Sequence, residues 1–346
     1  MLGRIAFLCL TIALPLLPAK AAELEFIFYR APQPLDWSTP GKLTRTMYKN
    51  MGHKVVINGA SYDYPHAISH VNVKVQCDGE EPIYRGMTST KSDFSYVWDL
   101  LIEGVSMDTM ITNVKGRFYE NKEILAWLEH LKMRGYARSL RMNINQMQCG
   151  QLKRYLADYK GLRLDKIYGG LRSDPLIGQG AGCAAFAVSF LRVLGYVPKE
   201  FQEQWKRQLD IPDRLLTTKS KTAEIGFFSF INGKDTTWAQ PGEPQIHLDF
   251  WDPELMYNWV GNVATDQVRF RDPLSVEAEY GGKFLAVRWD LSRYPTNILP
   301  AFKINGPDIA ENTRHHQNRA DDRLTEDEVK NWLAHECRRF KLCRKP

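Results

Sequence analysis

Ile177-Gly-Gln-Gly-Ala-Gly-Cys183-Ala-Ala-Phe-Ala-Val-Ser-Phe-Leu191 is a glycine-rich turn that runs straight into an apolar stretch of helical period. Glycines at 178, 180 and 182 let the backbone turn sharply, and Phe186, Ala187, Phe190, Leu191 and Leu194 recur along one side of the helix that follows. Cys183 therefore falls in the first helical turn. Unpaired backbone N–H groups and the positive end of the helix dipole favour thiolate over thiol there. The turn from Gly182 to Ala184 would also supply N–H donors to a carbonyl oxygen under attack. A competing reading has equal weight: Cys183 shares its face with apolar side chains and suits a small buried core position. A dinucleotide loop does not fit, because the third glycine is missing and Ser173-Asp-Pro-Leu-Ile177 is too short and proline-broken for the strand that motif needs.

The cysteine count sharpens the choice. Met1 to Ala21 has Arg4, an apolar centre from Ile5 to Leu17 and a small-x-small site at Ala19-Lys-Ala21, the pattern of a cleaved secretory leader. A periplasmic or secreted destination follows, in which disulfides persist. Beyond the leader stand Cys77, Cys149, Cys183, Cys337 and Cys343, an odd number. Pairing Cys337 with Cys343 and Cys77 with Cys149 leaves Cys183 as the spare thiol, although four cysteines allow three pairings.

Composition narrows the classes. The whole chain carries 46 basic and 40 acidic side chains, a net +6, of which Arg4 and Lys20 belong to the leader. Bases and acids are interspersed, so there is no nucleic-acid signature. No later segment has the uninterrupted hydrophobicity of a membrane span. No Gly-x-Ser-x-Gly elbow and no phosphate-cradling loop with a following lysine occurs, and no cofactor is called for.

A thiol nucleophile needs a base and a group to orient it. His70 opens Val71-Asn-Val-Lys-Val75, whose period of two marks a half-buried strand. His247 opens Gln245-Ile-His-Leu-Asp-Phe-Trp-Asp252, with Asp249 or Asp252 as orienter. Both histidines remain candidates. His66-x-x-x-His70 has zinc spacing, but Pro65 and the alternating strand keep the two off a shared helix face, and no metal site is expected. His130, on a helix from Lys122 to Arg134 stopped by Gly135, reads as a packing or surface residue, and His315-His316 as solvent-exposed.

Further elements follow from pattern. Strands are expected at Leu24 to Tyr29, Val55 to Asn58, Pro82 to Met87, Leu140 to Ile144 and Ile225 to Ile231. Helices are expected at Ser92 to Glu103, Gln146 to Tyr159 behind an Asn145 cap, Phe201 to Leu209, and from Thr325 onward. Phe250, Trp251, Tyr257 and Trp259 read as core, or as a partner-binding face if Cys183 merely packs.

Ser69-His-Val-Asn-Val-Lys-Val75, Tyr84-Arg-Gly-Met87, the Gln146-x-x-Cys-x-x-Leu helix, Tyr168 and Gly182-Cys-Ala-Ala-Phe186 together resemble the circularly permuted papain-like superfamily. That group includes NlpC-type wall hydrolases and lecithin:retinol acyltransferase-like proteins. The resemblance spans about Tyr62 to Gly195. It implies an α+β papain-like fold, Cys183 as nucleophile and His70 as base, with Tyr84 a candidate third residue. Where members often have Asn-Cys, this chain has Gly182-Cys183. The organisation expected is a leader at 1–21, a catalytic core at 22–200, an α/β extension packed on it at 201–304, and a linker with terminal helix at 305–346. The activity implied is cleavage of an amide or ester through a Cys183 thioester. Cell-wall peptide is the first substrate, lipid acyl groups the second, and a non-catalytic binding or scaffold protein the rival class.

Overall fold

The first strand, β1 (Glu23–Tyr29), is buried along both of its faces, apolar at Leu24, Phe26 and Phe28 and with Glu25 beside Ile27 and Tyr29 on the other, and a strand of that kind belongs in the middle of a covered sheet. A computed structural model of the protein describes residues 22–57, 60–90, 107–216 and 236–295. Within them the chain is mixed α+β. β1 lies between β4 (His70–Gln76) and β7 (Ala137–Asn143), antiparallel to both. Beyond β4 come β5 (Ile83–Ser89), β6 (Val114–Tyr119) and β8 (Ile167–Tyr168), each antiparallel to the last. Beyond β7 come β12 (Phe284–Asp290), which is parallel to it, and β11 (Leu274–Glu279). The order is β11-β12-β7-β1-β4-β5-β6-β8. Two strands of the segment beyond residue 200 are thus part of the central sheet.

Alternation along the strands separates two cores. Leu24, Phe26 and Phe28 share one face with Val71, Val73, Val75, Leu140, Met142 and Trp289. Three helices cover that face: α3 (Gln146–Gly161), α4 (Cys183–Val193) and α6 (Pro253–Ala264). Ile27 and Tyr29 point the other way, into a smaller core with Leu128 and Leu131 of α2 (Asn121–Met133), and with Val55 of the β2 (Lys54–Ile57) and β3 (Ala60–Asp63) hairpin. A third cluster joins Leu209 and Ile211 of β9 (Lys206–Pro212) to Leu248 and Phe250 of β10 (Gln245–Trp251), a separate two-stranded ribbon.

Local signals hold where the chemistry is strong. Asn145 caps α3, accepting from Gln148 N at 2.9 Å while Gln148 Oε1 accepts from Asn145 N at 2.8 Å. Cys77, just past β4, is bonded to Cys149 of α3 as expected, which clamps helix to sheet and leaves Cys183 the free cysteine among the described residues. One expectation is corrected. Phe201 to Leu209 is not one helix: α5 (Lys199–Gln204) ends at Trp205, which stacks on Phe201 at 3.6 Å, and β9 begins at Lys206. Leu209 and Ile211 alternate with polar neighbours there, so the period changes from four to two within one turn.

The leader at Met1 to Ala21, the helix at Ser92 to Glu103, the strand at Ile225 to Ile231, the linker at Asn305 to Arg323, the helix from Thr325 and the Cys337–Cys343 pair lie outside the described residues. No helix among the described residues is long and apolar enough to cross a membrane.

Candidate functional site

The loop before α4 sets the position of Cys183. Gly178 and Gly180 sit at φ +84° and +75°, a left-handed conformation that other side chains resist, and Gly180 packs so closely that a Cβ would stand 2.6 Å from Ile167. Gly182 is the N-cap and has no side chain to satisfy the first-turn N–H groups. Asp174 anchors the loop through a two-point pair with Arg192 of α4, at 2.7 and 2.9 Å.

Cys183 is 5% exposed. Burial pushes its thiol up from the ordinary value. The Val71 backbone, the Tyr168 side chain and the Ala184 and Cys183 backbone hydrogen-bond the sulfur and pull the other way without prevailing. The thiolate expected from the helix terminus is therefore not the resting state. The sequence signal, a helix N-terminus, was correct, but the desolvation that outweighs it is a tertiary property.

His70 lies at the same end of β4 but on the opposite face of the strand. It is paired in register with Tyr29, whereas Val71 belongs to the core beneath α4. Its Nε2 donates to Asn72 Oδ1 at 3.1 Å, and Asn72 Nδ2 donates to Tyr29 Oη at 3.4 Å. This assigns the proton to Nε2 and leaves Nδ1 as the basic nitrogen. Burial pushes the imidazole down to about 4, partly offset by the Asn72 hydrogen bond. Asn72 is the orienting group that sequence reading missed, and its signal was spacing: residues i and i+2 share a strand face. Gly86 on β5 makes room for the pair, since a Cβ there would fall 1.8 Å from Asn72 Oδ1.

His66 stacks on His70 with ring centroids 4.3 Å apart and planes 8° from parallel. Tyr29, Trp127 and Tyr119 box the two rings. Burial first, and His70 second, hold His66 well below the usual histidine range. Stacked rings do not converge on a cation, and no group of three or more His, Cys, Asp or Glu suited to a metal occurs among the described residues.

The alternative base is elsewhere. His247 is a partner of Asp210 across the β9–β10 ribbon at 2.7 Å, with its side chain 56% exposed. Asp249 pairs with Lys206 and Asp252 caps α6 while holding Arg207 at 2.6 Å. Tyr84 packs with the smaller core. Of these four, Asp252 alone lines the cavity that holds the thiol, and there its carboxylate is engaged by Arg207 and the first turn of α6.

One cavity of about 570 Å³ does bring Cys183 and His70 together, along with His66, Tyr168 and the Gly182–Ala184 turn. Its remaining wall is largely apolar, with Leu35, Trp37, Leu43, Met47, Met107 and Phe250. No protein-family model, no curated protein and no solved structure matches this chain. The site is read from its own geometry.

Proposed function

We propose that the protein is a thiol acyl hydrolase or acyltransferase of permuted papain-like type, secreted, with Cys183 as nucleophile and His70 as general base. The observation that carries this is the shared cavity, in which the free cysteine at a helix N-terminus meets a histidine oriented by Asn72. The apolar wall favours a lipid acyl group over wall peptide. Tyr168, which hydrogen-bonds the thiol, positions it.

In the reaction, the Sγ proton passes within the shared cavity to His70 as sulfur adds to the substrate carbonyl. N–H groups of the 182–184 turn receive the negative charge on oxygen. Collapse breaks the bond to the alcohol or amine, which leaves with the proton from His70, and a thioester remains on Cys183. Water, or an acceptor alcohol or amine, then attacks that thioester and the thiol is restored. Because the thiol rests neutral, proton removal and attack occur together.

A second reading is favoured by one observation: Cys183 is buried with a raised pKa and faces the cavity around the strand from His70. A cavity of this kind also suits reversible binding of an apolar ligand, with Cys183 structural.

The decisive experiment is intact-mass measurement after incubation with the p-nitrophenyl ester of a medium-chain fatty acid, in wild type, Cys183→Ser and His70→Asn. A hydroxylamine-labile adduct on Cys183, formed about a hundredfold more slowly in His70→Asn, supports the acyl enzyme. Reversible ester binding without adduct rejects it in favour of the second reading.

A further inference from the structure

α1 (Pro40–Asn50) has two unlike sides. One side forms wall of the cavity, through Leu43, Met47 and Tyr48. The other presents Lys42, Arg45 and Lys49, all exposed and spaced three and four residues apart, so that they line one stripe of the helix. α1 itself contains no acidic residue. Asp36 sits beside this stripe, where Ser38 hydroxyl and backbone hydrogen bonds, and then Lys42, lower its pKa.

The neighbouring rim of the cavity is apolar and open to solvent. Tyr48 is 38% exposed and Ile68 39% exposed, and both line the cavity. Large apolar side chains at a mouth, flanked by a row of cations on the same helix, match the interface of a bilayer: apolar groups enter at headgroup level while lysine and arginine meet anionic phosphate.

We infer that α1 and the Tyr48–Ile68 rim dock the protein on an anionic phospholipid bilayer, with the cavity mouth facing the lipid. This rests on the acyl reading for its purpose, since it names the bilayer as the source of the substrate, but docking itself requires no chemistry. The charge row selects the surface and the rim opens the path from acyl chains to Cys183. Each basic side chain near an anionic surface is worth roughly fivefold in affinity, so three together contribute about a hundredfold.

The test is flotation of the full mature chain with vesicles of phosphatidylglycerol and phosphatidylcholine, against vesicles of phosphatidylcholine alone. Wild type and Cys183→Ser should float equally with the anionic vesicles and weakly with the neutral ones. Combined Lys42→Glu, Arg45→Glu and Lys49→Glu should abolish flotation, whereas an equal charge change at exposed Lys122, Arg154 and Lys160 should leave most of it. Ile68→Ser, a milder change at the rim, should weaken binding several-fold and keeps the test open if the triple variant misfolds. Equal flotation on both vesicle types, equal loss in both triple variants, or binding to soluble polyphosphate without flotation overturns the proposal. Failure of docking with a normal Cys183 adduct separates this result from failure of the acyl chemistry.

Discussion

Acidification should weaken the fold through His70, by an amount that follows from its surroundings. The imidazole is held neutral at about 4 in the folded protein, against 6.5 when free. The unfolded chain therefore binds the proton more tightly, and stability is fully present above about pH 6.5 and falls until about pH 4. At about 1.4 kcal/mol for each unit of pKa, the loss from His70 alone is about 3 kcal/mol. His66, lowered by burial and by its neighbour, adds in the same direction. Burial raises Tyr29 and Tyr64 beside the rings further above the ordinary phenol value, so both stay neutral through this range. The assay is urea unfolding at about pH 7, 6, 5 and 4.5 for wild type and His70→Asn, since carboxylates titrate in both and cancel in the difference. The gap between the two free energies should shrink, or reverse, by about 3 kcal/mol on going to low pH. If His70→Asn folds poorly, the imidazole proton shift followed by NMR in wild type gives the pKa directly. Parallel stability curves, or an imidazole titrating near 6.5, would refute the reasoning.

The remaining expectations concern other parts of the site. Gly86→Ala should drive Asn72 from His70, because the new methyl overlaps the amide oxygen, and should slow acyl-adduct formation tenfold or more while His247→Ala leaves it unchanged. Iodoacetamide should label Cys183 slowly at neutral pH, with a rate that is still climbing past the ordinary thiol value of 9.0 rather than levelling off there; rapid labelling below neutrality contradicts the burial argument. Removing the Cys77–Cys149 bridge by double alanine substitution frees a loop of 72 residues and should cost about 4 kcal/mol in denaturant unfolding.

What could be read from sequence was whatever depends on neighbours along the chain. The alternation of Val71, Val73 and Val75 gave β4, although the strand expected to be half-buried has His70, Asn72 and Gln76 buried on its other face, and Asn145 gave the start of α3. The glycines before Cys183 gave α4 its entry. What stayed hidden depends on partners from distant strands. Gly86 matters only because β5 lies beside β4, and the depressed basicity of His70 only because Tyr29, Trp127 and His66 exclude water around it. The helix expected from Phe201 to Leu209 failed for a related reason: Trp205 stacks on Phe201 within a single turn, and the backbone after it pairs with β10.

The parallel pairing of β12 with β7 has a bearing on how the chain is made. Ribosomes deliver β1, β4 and β7 early, and those three strands can pair as soon as they emerge. Until Phe284–Asp290 follows, the outer margin of β7 is a row of open amide and carbonyl groups, a template for a second nascent chain. The last strand among the described residues thus covers β7, the neighbour of the strand synthesised first. A chain truncated before Leu274 would keep its cysteine helix and its histidine strand yet carry an unsealed sheet, and its fate would be decided by self-association rather than by the chemistry it still encodes.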